Sequence, residues 1–348
     1  MTTTTPTQAS AAMTASRRWL GRLGTVNLAA LAALGIFVAM LIYGEFAYGR
    51  ILQYSTISSL FINNAQLILI AVGLTMVIIT GGIDLSVGAV VALSGVSGVM
   101  LANAGWNPVL VVVVMIGIGT LVGLASGSLI EFFGVQPFIA TLSMMFLARG
   151  LASMLSTEPQ SLADDSPLRQ INASFTIIVG PLINNRIPND LKVTPGVVIA
   201  LLVVIAAQLF LTRTRSGRTI YAIGGSESSA LLMGLPVRRT KLLVYAVSGT
   251  LAGLAAVVYT ARLGSAQNIT GIGWELDAIA SAVIGGTLLT GGAGAVLGSL
   301  VGALVLGMIT VLITRDGTIP PAATAIITGG ILLVFVLLQR AVTARRSG

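Results

Sequence analysis

The sequence predicts an all-α, polytopic transmembrane helical bundle of about ten spans, with both termini on the inner side. Three observations carry this. First, 55% of the 348 residues are hydrophobic, only 9% are charged, and the mean hydropathy is +0.97. A soluble domain carries roughly 25% charged residues, so the chain lacks the polar surface that water demands. The same composition excludes intrinsic disorder. Second, apolar runs recur near the ~20 residues needed to cross ~30 Å of hydrocarbon. Third, the few basic residues are clustered, and such clusters orient a membrane protein with its positive loops inside.

Taken in order, residues 1–27 form a Thr/Ala/Ser-rich N-terminal tail, expected to be disordered and cytoplasmic, carrying Arg17, Arg18 and Arg22. The first apolar run, 28–43, has the flanks of a signal peptide, but Tyr43-Gly44-Glu45-Phe46 is a poor small-residue cleavage site. It is read as an uncleaved span. Further spans are expected near 60–80, 83–102, 108–130, 136–156, 193–212, 241–262, 275–290, 293–314 and 321–339. A transmembrane domain of 28–340 and a cytoplasmic tail of 341–348 follow. Only a Gly-Gly separates the second span from the third and the eighth from the ninth. Either pair admits a second reading, as broken helices that dip partway into the membrane.

Charge sets the topology. The N-terminal arginines, Arg340, Arg345 and Arg346 at the C-terminus, and six basic residues in 212–241 (Arg213, Arg215, Arg218, Arg238, Arg239, Lys241) make twelve of nineteen. All three segments are placed in the cytoplasm. Two inner termini require an even number of spans. The polar loop 157–192, with Glu158, Asp164, Asp165 and Asp190 against Arg169, Arg186 and Lys192, then falls outside. The basic excess therefore reports orientation. It offers no groove or aromatic interleaving for nucleic acid.

The chain has no cysteine and no histidine. Cys/His zinc sites, Ser-His-Asp triads and Cys-His dyads are excluded, and no metal or cofactor is expected. No G-x-x-x-x-G-K-[ST] occurs, and neither Lys192 nor Lys241, the only lysines, follows a glycine. If ATP drives this protein, another chain must bind it.

The first candidate site is Thr80-Gly81-Gly82-Ile83-Asp84-Leu85-Ser86-Val87-Gly88. An aspartate beside a span is costly to bury and marks function by default. Gly81 and Gly82 permit a helix break facing a polar cavity. Asp84 is equally suited to cap the next helix. A second Thr290-Gly291-Gly292, with Gly298 at the spacing of Gly88, suggests internal duplication. Gly81, Gly82, Asp84, Ser86, Gly291 and Gly292 are the candidate translocation path. Glycines at four-residue spacing (Gly119, Gly123, Gly127; Gly294, Gly298, Gly302) are read as packing faces. Arg149 is expected to snorkel to the outer face, and Trp106 and Trp274 to sit in aromatic belts.

Within 212–241, Ser226 suits an N-cap, Glu227 the first-turn dipole, and Gly234 with Pro236 a stop. The spacing predicts a helix of about two turns whose body, Ala230-Leu231-Leu232-Met233, is apolar in an aqueous loop. It either docks in a partner's groove or packs on the protein's own helix ends.

The run Gly81 to Gly88 resembles the signature of ribose-type sugar permeases of bacterial ABC importers. So do Phe138-Ile139-Ala140-Thr141-Leu142 with Arg149-Gly150, Tyr221-Ala222-Ile223-Gly224-Gly225, and Arg262-Leu263-Gly264-Ser265-Ala266-Gln267. Glu275-Leu276-Asp277-Ala278-Ile279-Ala280, leading to Gly285-Gly286-Thr287 and Gly291-Gly292, also matches. The matches run in order over residues 60–340. Within that family, Leu232-Met233-Gly234, Gly285-Gly286-Thr287-Leu288-Leu289 and Asp316-Gly317-Thr318 most resemble the second permease subunits of galactofuranose importers.

The resemblance implies a type II ABC importer-like permease in the bacterial inner membrane, moving a monosaccharide such as galactofuranose or a ribose-like sugar. It implies ATPase subunits, a second permease in a homo- or heterodimer, and a periplasmic or lipid-anchored sugar-binding protein. Glu227, Ser228, Ser229, Ala230, Leu231, Leu232, Met233 and Gly234 become the ATPase-coupling helix, with Ser228-Ser229 where the family has Ala-Ala. A related amino-acid permease is the alternative, and an ion-coupled secondary transporter a more distant one. An intramembrane enzyme would need the His or paired acids that the chain lacks.

Overall fold

The computed structural model describes residues 25–181, 189–318, 320, 323, 326–335 and 337. The arginines expected to orient both termini, and Arg186, lie outside the described residues. Twelve α-helices are described: α1 (Thr25–Tyr48), α2 (Tyr54–Ile79), α3 (Val87–Asn103), α4 (Pro108–Phe133), α5 (Pro137–Leu155), α6 (Pro195–Arg213), α7 (Arg215–Gly225), α8 (Glu227–Leu232), α9 (Val237–Leu263), α10 (Trp274–Ile284), α11 (Val296–Asp316) and α12 (Ile326–Phe335). Each of the ten expected spans carries one of them. Seven are long and apolar enough to cross a membrane: α1 from Ala30, α2, α4, α5, α6, α9 and α11.

Local chemistry explains the boundaries. Pro108, Pro137 and Pro195 open α4, α5 and α6, where a missing N–H costs nothing. The Asn107 side chain accepts from Val109 N at 2.9 Å and caps α4. Gly134, Gly264 and Gly317 end α4, α9 and α11 in the left-handed conformation.

Helix ends gather on two faces. On one, Tyr48 Oη donates to Asp316 at 2.9 Å, Asn103 Nδ2 donates to Ser161 O at 2.8 Å, and Leu162 N donates to Gly264 O at 2.8 Å. The 157–192 loop lies here. It contributes β1 (Gln160–Ser161), β2 (Phe175–Ile178) and β3 (Leu191–Val193). Strand β1 pairs antiparallel with β4 (Ser265–Ala266), and β2 with β3. The opposite face collects 80–86, 134–136, 213–241 and 285–295, and with them the six basic residues of the 212–241 cluster.

Helix α9 is the central post, packed on α4, α2 and α3. The α4–α9 contact is backbone on backbone. A Cβ at Gly119 would strike Gly249 O, one at Gly249 would strike Gly119 O, and one at Gly123 would strike Tyr245 O. The predicted glycine face of α4 is thus matched by Gly249 and Gly253 on α9. Gly298 and Gly302 of α11 do the same against Gly285 and Ser281 at α10. Close approach lets dispersion act along the whole contact. Thr120 and Thr250 hydroxyls, 2.8 Å apart, and Thr75 and Ser299, 2.6 Å apart, add interhelical hydrogen bonds.

The structure decides one open reading and adds two features. The helix placed at 275–290 ends at Ile284, because the Gly285-Gly286 turn, with Gly286 at φ +94°, breaks it. Eleven residues rise about 16 Å, half of a ~30 Å core, so α10 is a half-length helix. The residues leading into it, 264–273, fold into the bundle. Ala266 packs at the level of Gly95 and Gly271 at that of Gly88, two turns, or about 10 Å, further along α3. Finally, the 212–241 loop holds an additional helix, α7, whose three glycines hid it in the sequence.

Gly249→Val should therefore cost about 1–3 kcal/mol through overpacking, lowering the melting temperature of the detergent-solubilised protein. Gly117→Ala, on the facing helix α4 but with open space around it, should leave it unchanged. Equal melting of both variants would refute the backbone contact.

Candidate functional site

The two Thr-Gly-Gly segments meet. Gly292 N donates to Ile79 O at 2.9 Å. A Cβ at Gly291 would stand 3.0 Å from Gly81 N and 3.1 Å from Gly224 O. Both segments precede a helix, and both hold glycine at positive φ (Gly81 +80°, Gly291 +84°, Gly292 +76°). Their following glycines also play one part, since Gly88 packs on Gly271 and Gly298 on Gly285. The four-position sequence match thus has a counterpart in geometry.

Beyond Gly82 the chain runs without helix to Ser86. Asp84 is fully buried there. Its Oδ1 accepts from Ser86 N at 3.0 Å and Ser86 Oγ at 2.6 Å, and its Oδ2 accepts from Ser248 Oγ at 2.7 Å. Ser248 lies about three turns along α9. One oxygen therefore organises the start of α3, and the other ties that start to the central helix. Ile83 O accepts from Thr141 Oγ1 at 3.3 Å and Tyr245 Oη at 3.5 Å. Asp84 and Ser86 are buried, while Gly81 and Gly82 line a cavity of about 390 Å³ with Thr80, Gln136, Glu227, Lys241 and Tyr245.

The basic 212–241 segment reaches this junction through α7. A Cβ at Gly224 would collide with both Ile79 O and Gly292 N. Tyr221 Oη donates to Gly294 O at 2.8 Å. After Gly225 the chain turns into α8. Ser226 is its N-cap, accepting from Ser229 N at 3.3 Å, with its hydroxyl 3.2 Å from that of Ser228 and 2.9 Å from that of Ser229. Gly234 at φ +73° closes it, with Gly234 N donating to Leu231 O and Leu235 N to Ala230 O, a left-handed C-terminal stop. Ala230 is buried against Ile223, Leu235 and Val237, but Leu231, Leu232 and Met233 are exposed, Leu232 by 90%. The helix rests on the protein through one small residue and presents three large apolar ones outward.

Charge fixes α8 from the other side. Lys241 Nζ lies 2.6 Å from Glu227 Oε1 and 3.3 Å from Glu131 Oε1. Glu131 and Lys241 are largely buried, so removing one partner would strand the other.

Sequence reasoning missed Ser248, Tyr245, Glu131 and Gly224 as parts of this junction. Only the Gly224-Gly225 pair left a signal. Two outer-face expectations change as well. Arg149 does not snorkel: its Nη1 donates to Asn268 O and Thr270 O, both at 2.6 Å, pinning the inward loop. Trp106 is half exposed, as an interfacial residue would be. Trp274 is instead packed edge-on to Tyr259, with centroids 4.8 Å apart, and lines two cavities.

Comparison with known proteins agrees with this architecture. Residues 56–337 match the family described as branched-chain amino acid transport system / permease component. The fructose import permease protein FruG of Bifidobacterium longum is 54% identical over 314 residues, 90% of this chain and 91% of the relative. The ribose import permease protein RbsC of Escherichia coli is 41% identical over 241 residues (69% and 72%). The D-allose transport system permease protein AlsC of the same species is 34% identical over 317 residues (89% and 90%). No solved structure matches the chain. With more than two thirds of its length matched by the family and its relatives, this multi-pass membrane protein belongs to the branched-chain amino acid transport system / permease component family.

Proposed function

We propose that the chain is the permease subunit of an ATP-binding cassette importer that carries a monosaccharide into the cytoplasm across the bacterial inner membrane. It has ten spans and both termini inside. ATP is bound and hydrolysed by separate subunits, a binding protein delivers the sugar, and a second permease, the same chain or a different one, completes the pathway. The observation that carries this reading is α8. Three exposed apolar side chains stand on a six-residue helix whose base is tied to both Thr-Gly-Gly segments. Such a helix suits a groove on an ATPase, and its rigid ties suit transmission of motion.

Movement of α8 would travel through Gly224 to the contact between Ile79 and Gly292. From there it would reach the 80–86 segment that Asp84 holds against α9. Gly81, Gly82, Asp84, Ser86, Gly291 and Gly292 then act as the moving inner end of the path. Named relatives that import fructose, ribose and D-allose favour a monosaccharide. The likeness of Leu232-Met233-Gly234 and Asp316-Gly317-Thr318 to galactofuranose permeases adds that sugar to the candidates. The family's description keeps a branched-chain amino acid as the alternative substrate.

Proteoliposomes holding the assembled complex should take up D-fructose, D-ribose or galactofuranose only with ATP, and an uncoupler should not matter. Uptake of L-leucine but of no sugar would overturn the substrate class, and uptake abolished by the uncoupler would overturn the energy source. Leu232→Asp and Gly234→Pro should leave the protein inserted but prevent co-purification of the ATPase. Normal co-purification with both would refute docking at α8. Asp84→Ala leaves the Ser86 and Ser248 hydroxyls without their shared acceptor, a loss worth about 1–3 kcal/mol. It should reduce uptake roughly tenfold with the ATPase still bound, and unchanged uptake would reduce Asp84 to a dispensable cap.

A further inference from the structure

We propose that a cavity at mid-height of the bundle, between α2, α10, α11 and α12, is an intramembrane binding site for the transported sugar. This deepens, and rests on, the reading above as a monosaccharide permease. The cavity measures about 160 Å³, and its lining includes Asn64, Gln66, Trp274, Asp277, Thr310 and Thr328. Two amides, a carboxylate, two hydroxyls and an aromatic ring are an unusual set for the interior of a chain that is 55% hydrophobic. A polar group there is costly and calls for a partner.

Asn64 and Thr310 donate to the helix backbone, to Leu60 O at 2.7 Å and Leu306 O at 3.3 Å, but two groups are left short. Gln66 is only 6% exposed. Its Nε2 donates to Asn63 O at 2.6 Å, while its Oε1 is buried without a hydrogen-bond partner among the described residues. The Asp277 carboxylate is half-buried in the same helix turn as Glu275, and none of the side-chain hydrogen bonds or salt bridges among the described residues involves it. Helix-dipole compensation accounts for acids in the first turn of α10. It does not account for Gln66, a buried amide on a different helix that lines the same cavity.

Position supports the same conclusion. Asn64 and Gln66 lie near the middle of the 26-residue α2, and Thr310 in the central turns of α11. Asp277 begins a half-length helix, and discontinuous helices build substrate sites near the midplane of transporters. Trp274 also lines a second cavity of about 290 Å³ among Tyr259, Gln267, Thr270 and Gly271. Ser265 and Ala266, which pair with β1 of the 157–192 loop, line that cavity too, so the ring is shared between a cavity on the loop's side and the mid-height site. A neutral, polyhydroxylated ring fits the chemistry: its hydroxyls donate to the Asp277 carboxylate and to the Thr310 and Thr328 hydroxyls, and its C–H face packs on the indole.

Trp19→Phe/Trp106→Phe leaves Trp274 as the sole tryptophan of the chain. Titration of this full-length variant in nanodiscs with D-ribose and D-fructose should give a saturable change in emission, absent with L-leucine and lost in Asp277→Asn and Gln66→Leu. In the assembled complex, Asp277→Asn and Thr310→Val should each cut uptake about tenfold, while ATPase co-purification and binding-protein-stimulated hydrolysis stay within twofold. If the wild-type complex imports a sugar but Trp274 is silent and both variants transport normally, the site is refuted and the permease reading stands. Emission that is silent, with Asp277→Asn transport sensitive to an uncoupler, would make Asp277 a proton site and also overturn the proposal. If the wild type imports no sugar, the function and the ligand class fall together.

Discussion

Backbone that leaves a helix inside a membrane bundle must find its hydrogen-bond partners within the protein, since lipid offers none. Among the described residues this happens at 80–86, 264–273 and 285–295, and much of the architecture serves the first and last of these stretches. Ile79 O receives Gly292 N, Gly294 O receives the Tyr221 hydroxyl, and Ile83 O receives those of Thr141 and Tyr245. Within the last stretch, Leu288 N donates to Ala293 O across a tight hairpin. Asp84 supplies both oxygens to the first. The groups come from α5, α7 and α9, so satisfying the interruptions also fixes how those helices sit.

The solution depends on the absence of side chains. Partners can reach an interrupted backbone only if the chains touch directly, and here they do so through Gly81, Gly224, Gly291 and Gly292. Because Gly224 lies only two residues before the N-cap of α8, the exposed helix cannot shift far without disturbing the contact between Ile79 and Gly292. The Glu131–Lys241–Glu227 cluster closes the second side of this frame. Together they tie α8 firmly to the interrupted segments, while its apolar tip stays exposed. Burying three large apolar side chains would be worth roughly 1.5–3 kcal/mol each at most, so the docking proposed above would need a larger contact around the tip.

Periodicity and composition made the helices legible, and the glycine faces of α4 and α11 could be read from spacing alone. The turn chemistry of Ser226 to Gly234 was legible too, because caps and left-handed stops are local. What stayed hidden was long-range. Nothing in the sequence pairs Asp84 with Ser248, 164 positions away, or brings Gly224 to Gly292. Helix α7 was hidden because its glycines lower intrinsic propensity, and tertiary packing of Ile220 and Ile223 overrides that. The end of α10 was misread because an apolar run marks what is buried, not what is helical: residues 285–287 are as buried as the helix before them. Arg149 and Trp274 were assigned to the interface by position along the chain, whereas the inward fold of 264–273 brings both into the bundle's own contacts.

That inward fold also explains why polar groups accumulate where they do. An inward loop pinned by Arg149 leaves its own turns short of neighbours, and space opens on either side of Trp274. The half-length α10 begins at that space, so its first-turn acids face the bundle interior instead of the headgroups. On the opposite face the interrupted segments pack tightly, with Asp84 sealed and its oxygens matched. The two ends of the bundle therefore treat their buried acids differently. Asp277 lines open space without a side-chain hydrogen bond or salt bridge among the described residues. Asp84 is sealed with both oxygens matched, although a cavity of about 390 Å³ adjoins Gly81 and Gly82. The ties of α8 run through Gly224 to the Ile79–Gly292 contact, and so to the end that holds the matched Asp84.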